Sequence, residues 1–134
     1  MKHMTKFVFA LSLLLIASYS FAAGKYSPGR VVVNLSNPAQ QYMNGDFNVR
    51  YNPAAGSQGF VQAQAGDYYV SFNGVDDSTG QSFSCSIPNT NAIFQAAIAT
   101  ARAAGNGSRL QVYKTSSSST CTSVYILNNS QFLD

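Results

Sequence analysis

Two cysteines, five aspartates and an alternating run of Arg109, Gln111 and Tyr113 are the residues of this chain best equipped for chemistry. What accompanies them matters as much. The chain has no glutamate, and its one histidine, His3, lies in a segment that reads as a removable leader. Without histidine, a Ser-His or Cys-His nucleophile pair cannot be assembled, and the usual zinc sites lose a ligand type. Asp76-Asp77 is the one adjacent carboxylate pair. A glycosidase needs two carboxylates facing each other across the scissile bond, which neighbours on a Gly-flanked turn do not do. The pair is expected to open an Asx-type turn, with a weak calcium site shared with Ser78 and Thr79 as the alternative. The chain is therefore read as a non-enzyme with no cofactor and no resident metal. An enzyme working with Asp, Ser, Tyr and Lys alone is the remoter alternative.

The compartment follows from the start of the chain. Lys2, His3 and Lys6 precede an apolar run from Phe7 to Ala17, and Ser20-Phe21-Ala22 offers small residues at signal-peptidase spacing. That pattern is a secretory signal peptide, residues 1–22, with an apolar core too short to span a membrane. The expected mature part, residues 23–134, is a single domain of about 112 residues, exported through the periplasm and secreted. In an oxidising compartment Cys85 and Cys121 are expected to form a structural disulfide. No basic residue adjoins either one to make it reactive. Only 10% of the 134 residues are charged, and the formal +3 falls to about +1 once the leader is removed. A charge that small gives no electrostatic footprint for nucleic acid.

The elements that must position these residues are mostly strands. Arg30-Val-Val-Val-Asn-Leu35 is a β-branched run closed by Asn37-Pro38. A second strand is expected from Tyr42 to Tyr51, interrupted by Asn44-Gly45, a hairpin-type pair. Residues 52–66 read partly as loop, with Phe60-Val61 as the only anchor. Asp67-Tyr-Tyr-Val-Ser-Phe72 and Ser82-Phe-Ser-Cys-Ser-Ile87 flank a turn-rich segment. In the second of these Phe83, Cys85 and Ile87 share one face and serines the other, the mark of a half-buried strand. Ala92 to Ala104 is helical, with Asn89, Thr90 or Asn91 as its cap and Gly105 ending it in the left-handed conformation. Phe94, Ala97, Ile98 and Ala101 make its apolar stripe. Strands at 109–114 and 123–127 then enclose a Ser/Thr loop at 115–122. A single helix inserted late in an antiparallel meander suits a mainly β fold with one helix, a small OB-fold-like barrel closed at one end by that helix. A flat sheet with the helix packed on it is the structural alternative.

If Leu110 and Val112 point inward, Arg109, Gln111 and Tyr113 share the outer face of their strand. An aromatic ring beside a guanidinium and an amide can serve as a sugar surface, because the ring stacks while the donors read hydroxyls or a carboxylate. A solvated strand face is the plainer alternative.

Three stretches resemble the B subunits of bacterial toxins of the subtilase-cytotoxin, typhoid-toxin and pertussis-like kind. Gly24-Lys25-Tyr26-Ser27 followed by Val31-Val32-Val33 is similar to that family's opening. Ser84-Cys85-Ser86-Ile87 resembles its cysteine-bearing strand. The stretch from Phe94 through Gly105 to Arg109-Leu110-Gln111-Val112-Tyr113 resembles its helix, glycine turn and Arg-aromatic strand. The chain departs from the family in holding two cysteines only and in lacking a long aromatic segment after that strand. The resemblance implies an OB-fold that binds host-cell glycans, often sialic acid, assembles as a homopentamer and delivers a separate catalytic A subunit, a role in virulence. It also implies that Ser27, with Tyr26 beside it, and the aromatic at Tyr113 contact the sugar, with Arg109 and Gln111 nearby. The alternative function is a periplasmic or secreted inhibitor or immunity-type protein that blocks a partner enzyme through the loop at 115–122.

Overall fold

The computed structural model describes residues 29–55, 58–105 and 107–128. The leader, Tyr26 and Ser27 lie outside the described residues. Within them run β1 (Val31–Asn34), β2 (Gln41–Asp46), a 3-10 turn (Val49–Tyr51), β3 (Phe60–Ala65), β4 (Tyr69–Val75) and β5 (Ser82–Pro88). Helix α1 (Phe94–Ala103), β6 (Ser108–Lys114) and β7 (Cys121–Asn128) complete the order.

The strands form two antiparallel sheets, ordered β1-β2-β6-β7 and β3-β4-β5. This overturns the expected OB-fold-like barrel, since neither sheet closes on itself and both remain open. The physical reason lies in β2. Its second edge is taken by β6, so that Gln41 faces Lys114 and Asp46 faces Arg109. The chain between β2 and β3 then leaves that sheet, and β3 starts a new one with β4 and β5. Among the described residues the fold is mainly β with one helix, as its composition of short alternating runs indicates.

Alternation decides what each sheet buries. Val31, Val33, Met43, Leu110 and Val112 of the larger sheet, and Val70, Phe72, Phe83 and Ile87 of the smaller, make one core. Helix α1 adds Phe94 and Ala97, with Ile98 and Ala101 packed partly against it, so the predicted stripe is the face it buries. The Cys85–Cys121 disulfide joins β5 to β7 across a Cα separation of 5.2 Å. Beside it, the Ser86 N–H donates to the Ser119 carbonyl. On the other side of the molecule, the outer edge of β1 is covered by the turn after β4. The Asp77 N–H donates to Val31 O, and Val33 N–H donates to the Asp76 carboxylate at 2.9 Å. An edge strand covered in this way cannot template pairing with another chain.

Three local expectations change. Asn44-Gly45 is no turn; it continues β2, where Gly45 is buried and pairs with Val31 and Leu110. Van der Waals room explains the glycine: a Cβ there would sit 3.1 Å from Val61 of β3. The helix begins after Ile93, which makes no side-chain cap bond, although the Asn91 side chain does accept from the Ile93 N–H. At the other end Ala104 leaves the helix in an extended conformation. The one described residue with positive φ is Gly80, not Gly105.

The two sheets approach closely at Gly74 of β4, where a Cβ would collide with the Met43 sulfur and lie 3.0 Å from the Phe60 carbonyl. Gly74→Ala should lower stability by about 1–3 kcal/mol, as overpacking of a filled core does. Urea unfolding would check this, and an unchanged midpoint would mean that Met43 moves aside freely.

Candidate functional site

The registers of the larger sheet place its outward side chains in a grid. One row runs Asn34, Tyr42, Tyr113, Ser123; the next runs Val32, Asn44, Gln111, Tyr125. A third holds Asp46, Arg109 and Leu127, with Arg30 beside it at the start of β1. Successive rows stand about 7 Å apart along a strand. Leu110 and Val112 are fully buried, so Arg109, Gln111 and Tyr113 do share the outer face. All three are partly exposed.

Tyr113 is the centre of an aromatic cluster. Its ring lies 5.9 Å from that of Tyr42 and 6.2 Å from that of Tyr125, the second contact edge-to-face. Tyr125 is 55% exposed on the last strand, so the cluster opens toward solvent at its edge. Such contacts prefer tilted geometries because the ring faces are negative and the edges positive.

Two ion pairs hold the other end of the face. Asp46, almost wholly buried, accepts from Arg109 Nε at 2.6 Å and Nη2 at 3.0 Å, and from the Arg30 backbone N–H at 2.9 Å. Asp77, also buried, takes a forked pair of bonds from the Arg30 guanidinium. Each guanidinium is pushed further toward its charged form, chiefly by the hydrogen bond it donates to its aspartate. Between these pairs lies a recess of about 160 Å³ lined by Arg30, Val32, Asn44, Asp46 and Arg109.

Asp76 has a different role. Burial pushes its carboxyl up, but donors from Val33, Ser78 and Thr79 outweigh that and hold it well below the usual carboxylate range. One oxygen accepts from the Ser78 N–H, the Ser78 hydroxyl and the Thr79 N–H, the expected Asx turn, and the other from Val33. Its lone pairs are thus committed to the fold. Among the described residues no three His, Cys, Asp or Glu side chains cluster as metal ligands.

Sequence reasoning missed Arg30, Tyr42, Asn44, Asp46 and Tyr125 as parts of this face. The signal for three of them was present: Tyr42, Asn44 and Asp46 alternate with period 2, but reading Asn44-Gly45 as a turn broke the strand in which that period counts. The loop proposed for partner insertion is short and tied down. Ser116 N–H donates to Pro38 O, Ser118 N–H to Thr115 O, and Ser119 O accepts from Ser86. Thr120 N–H donates to the Ser118 hydroxyl.

Comparison of the chain with protein families, with curated proteins and with solved structures finds no match. The binding reading therefore stands on the geometry of this face.

Proposed function

We propose that this domain is an exported binding module that holds a glycan on the outer face of its four-stranded sheet. The observation that carries the reading is the juxtaposition of the Tyr42–Tyr113–Tyr125 rings with Gln111 and Arg109 on one continuous surface. Rings stack on the apolar faces of sugars, and amide and guanidinium groups read hydroxyls at fixed positions. β-strands hold these groups at regular spacing, so little ordering is needed on binding. The leader pattern at residues 1–22 and the disulfide fit an exported protein.

The toxin-subunit reading extends no further here. It presupposed an OB barrel that this chain does not form, and the pentamer and separate catalytic subunit belong to that resemblance. Loop insertion into a partner enzyme has less support, because the bonds of the 115–120 segment hold it against Pro38 and Ser86.

Tyr113→Ala should weaken glycan binding about tenfold or more, the loss of roughly 1.4 kcal/mol of stacking, while far-UV circular dichroism stays unchanged. A glycan array followed by calorimetry on the best hit checks it. Undiminished binding by the variant, or capture of a tight one-to-one protein partner by a wild-type domain that binds no glycan, would overturn the proposal.

A further inference from the structure

The recess beside the tyrosines specifies the kind of sugar, and this inference rests on reading the face as a glycan site. We infer that the recess selects neutral, hydroxyl-rich sugars over acidic ones, with Asn44 as the residue that reads the hydroxyls.

Charge supports this first. The recess contains two guanidiniums, which on their own would attract a carboxylate or a sulfate. Each is already matched by a buried aspartate: Arg109 by Asp46, and Arg30 by Asp77. An incoming carboxylate would compete with these aspartates for N–H donors while approaching the Asp46 charge that lines the same recess. Like charges in a partly buried site repel strongly. A hydroxyl meets no such barrier. Half of the Arg30 side chain is exposed, and Asp77 uses only two of its N–H groups, so donors for a hydroxyl oxygen are at hand.

Asn44 is the second observation. Its amide oxygen is buried and has no hydrogen-bond partner, which is unusual, since an orphaned buried polar atom is costly. An amide held by no bond at its inner end can rotate without breaking one. Asn44 can therefore turn either its carbonyl or its NH2 toward the recess, and a hydroxyl, which both donates and accepts, is satisfied by either. Val32, 44% exposed, lines the same recess and offers an apolar surface for ring C–H groups. Asn44 also lies between the tyrosine row and the ion pairs, about 7 Å from each along β2. A bound sugar can thus stack on the rings while its hydroxyls enter the recess.

The test compares neutral with sialylated and uronate-terminated oligosaccharides on an array, using the disulfide-bonded domain, followed by calorimetry on the best matched pair. Neutral sugars are expected to bind, and the acidic member of the pair to bind about tenfold more weakly or worse. Affinity for the neutral member should change little between low and high salt, since no net charge is neutralised. Asn44→Ala should cost about tenfold in neutral-sugar affinity with unchanged thermal unfolding. A wild-type preference for the acidic member overturns the inference and leaves the glycan site standing, and that comparison needs no variant. Full affinity in Asn44→Ala alongside a weakened Tyr113→Ala overturns it equally. Absence of all glycan binding removes the site itself and the inference with it.

Discussion

Replacing both Cys85 and Cys121 with alanine is expected to lower the stability of this domain by about 4 kcal/mol. The two residues are 36 apart in sequence, and a cross-link of that span removes a large part of the unfolded chain's freedom. The position adds to the effect. Both cysteines are buried, and their bond joins the last strand of the larger sheet to the last strand of the smaller. Without it, the Ser86–Thr120 bridge with its Ser86 N–H to Ser119 O bond, and the Lys114 ammonium on the Ser84 carbonyl, would have to hold that seam. Domains of this size have total stabilities of only about 5–15 kcal/mol, so the loss is a large share of the whole. Urea unfolding of the wild type and the double variant should show a much lower midpoint for the variant. A similar drop should follow when the wild type is reduced. Coincident curves would show that core packing alone holds the sheets together.

The second large effect is expected at Asp76. Asp76→Ala should cost about 3 kcal/mol, because it strips a charged acceptor from the N–H groups of Val33, Ser78 and Thr79 and leaves the buried Val33 donor without a partner. It also uncovers the outer edge of β1. The pH dependence has a definite sign. The folded carboxyl titrates below its unfolded counterpart, despite the burial that opposes this, because four hydrogen bonds favour its charged form. Its contribution is thus complete above the unfolded value of about 4 and disappears as pH falls from there toward the lower folded value. Melting temperature followed from about pH 6 down to pH 2 should fall steeply below about pH 4 in the wild type. Asp76→Asn, which keeps an acceptor for the Asx turn but has no carboxyl to titrate, should start lower and fall less. Parallel slopes for the two proteins would refute this assignment.

How much of the fold could be read beforehand depends on how local each signal is. In β5, Phe83, Cys85 and Ile87 point inward and the serines outward, as the alternation indicated. The helix buries the stripe its spacing defined, and Tyr113 stands beside Arg109 and Gln111 on an outer face. These outcomes follow from periodicity within one element. The turn read into Asn44-Gly45 failed for the opposite reason. That pair favours a turn only where the chain is free to reverse, and here β1 and β6 hold β2 straight on both sides.

The sequence by itself determined most of the short strands, the alanine-rich helix, the cysteine pair and a composition with no glutamate and with His3 as its one histidine, because each depends on residue type or on spacing of a few positions. Tertiary structure alone decided that the strands divide into two open sheets, and that Asp46 meets Arg109 across 63 residues of chain. It likewise gathered Tyr42, Tyr113 and Tyr125 into one cluster and placed a recess lined by Arg30, Asn44, Asp46 and Arg109 on the same face. Strand pairing explains the difference: each edge can accept any strand that buries its apolar face well, and which strand wins is settled by the packing of the whole core.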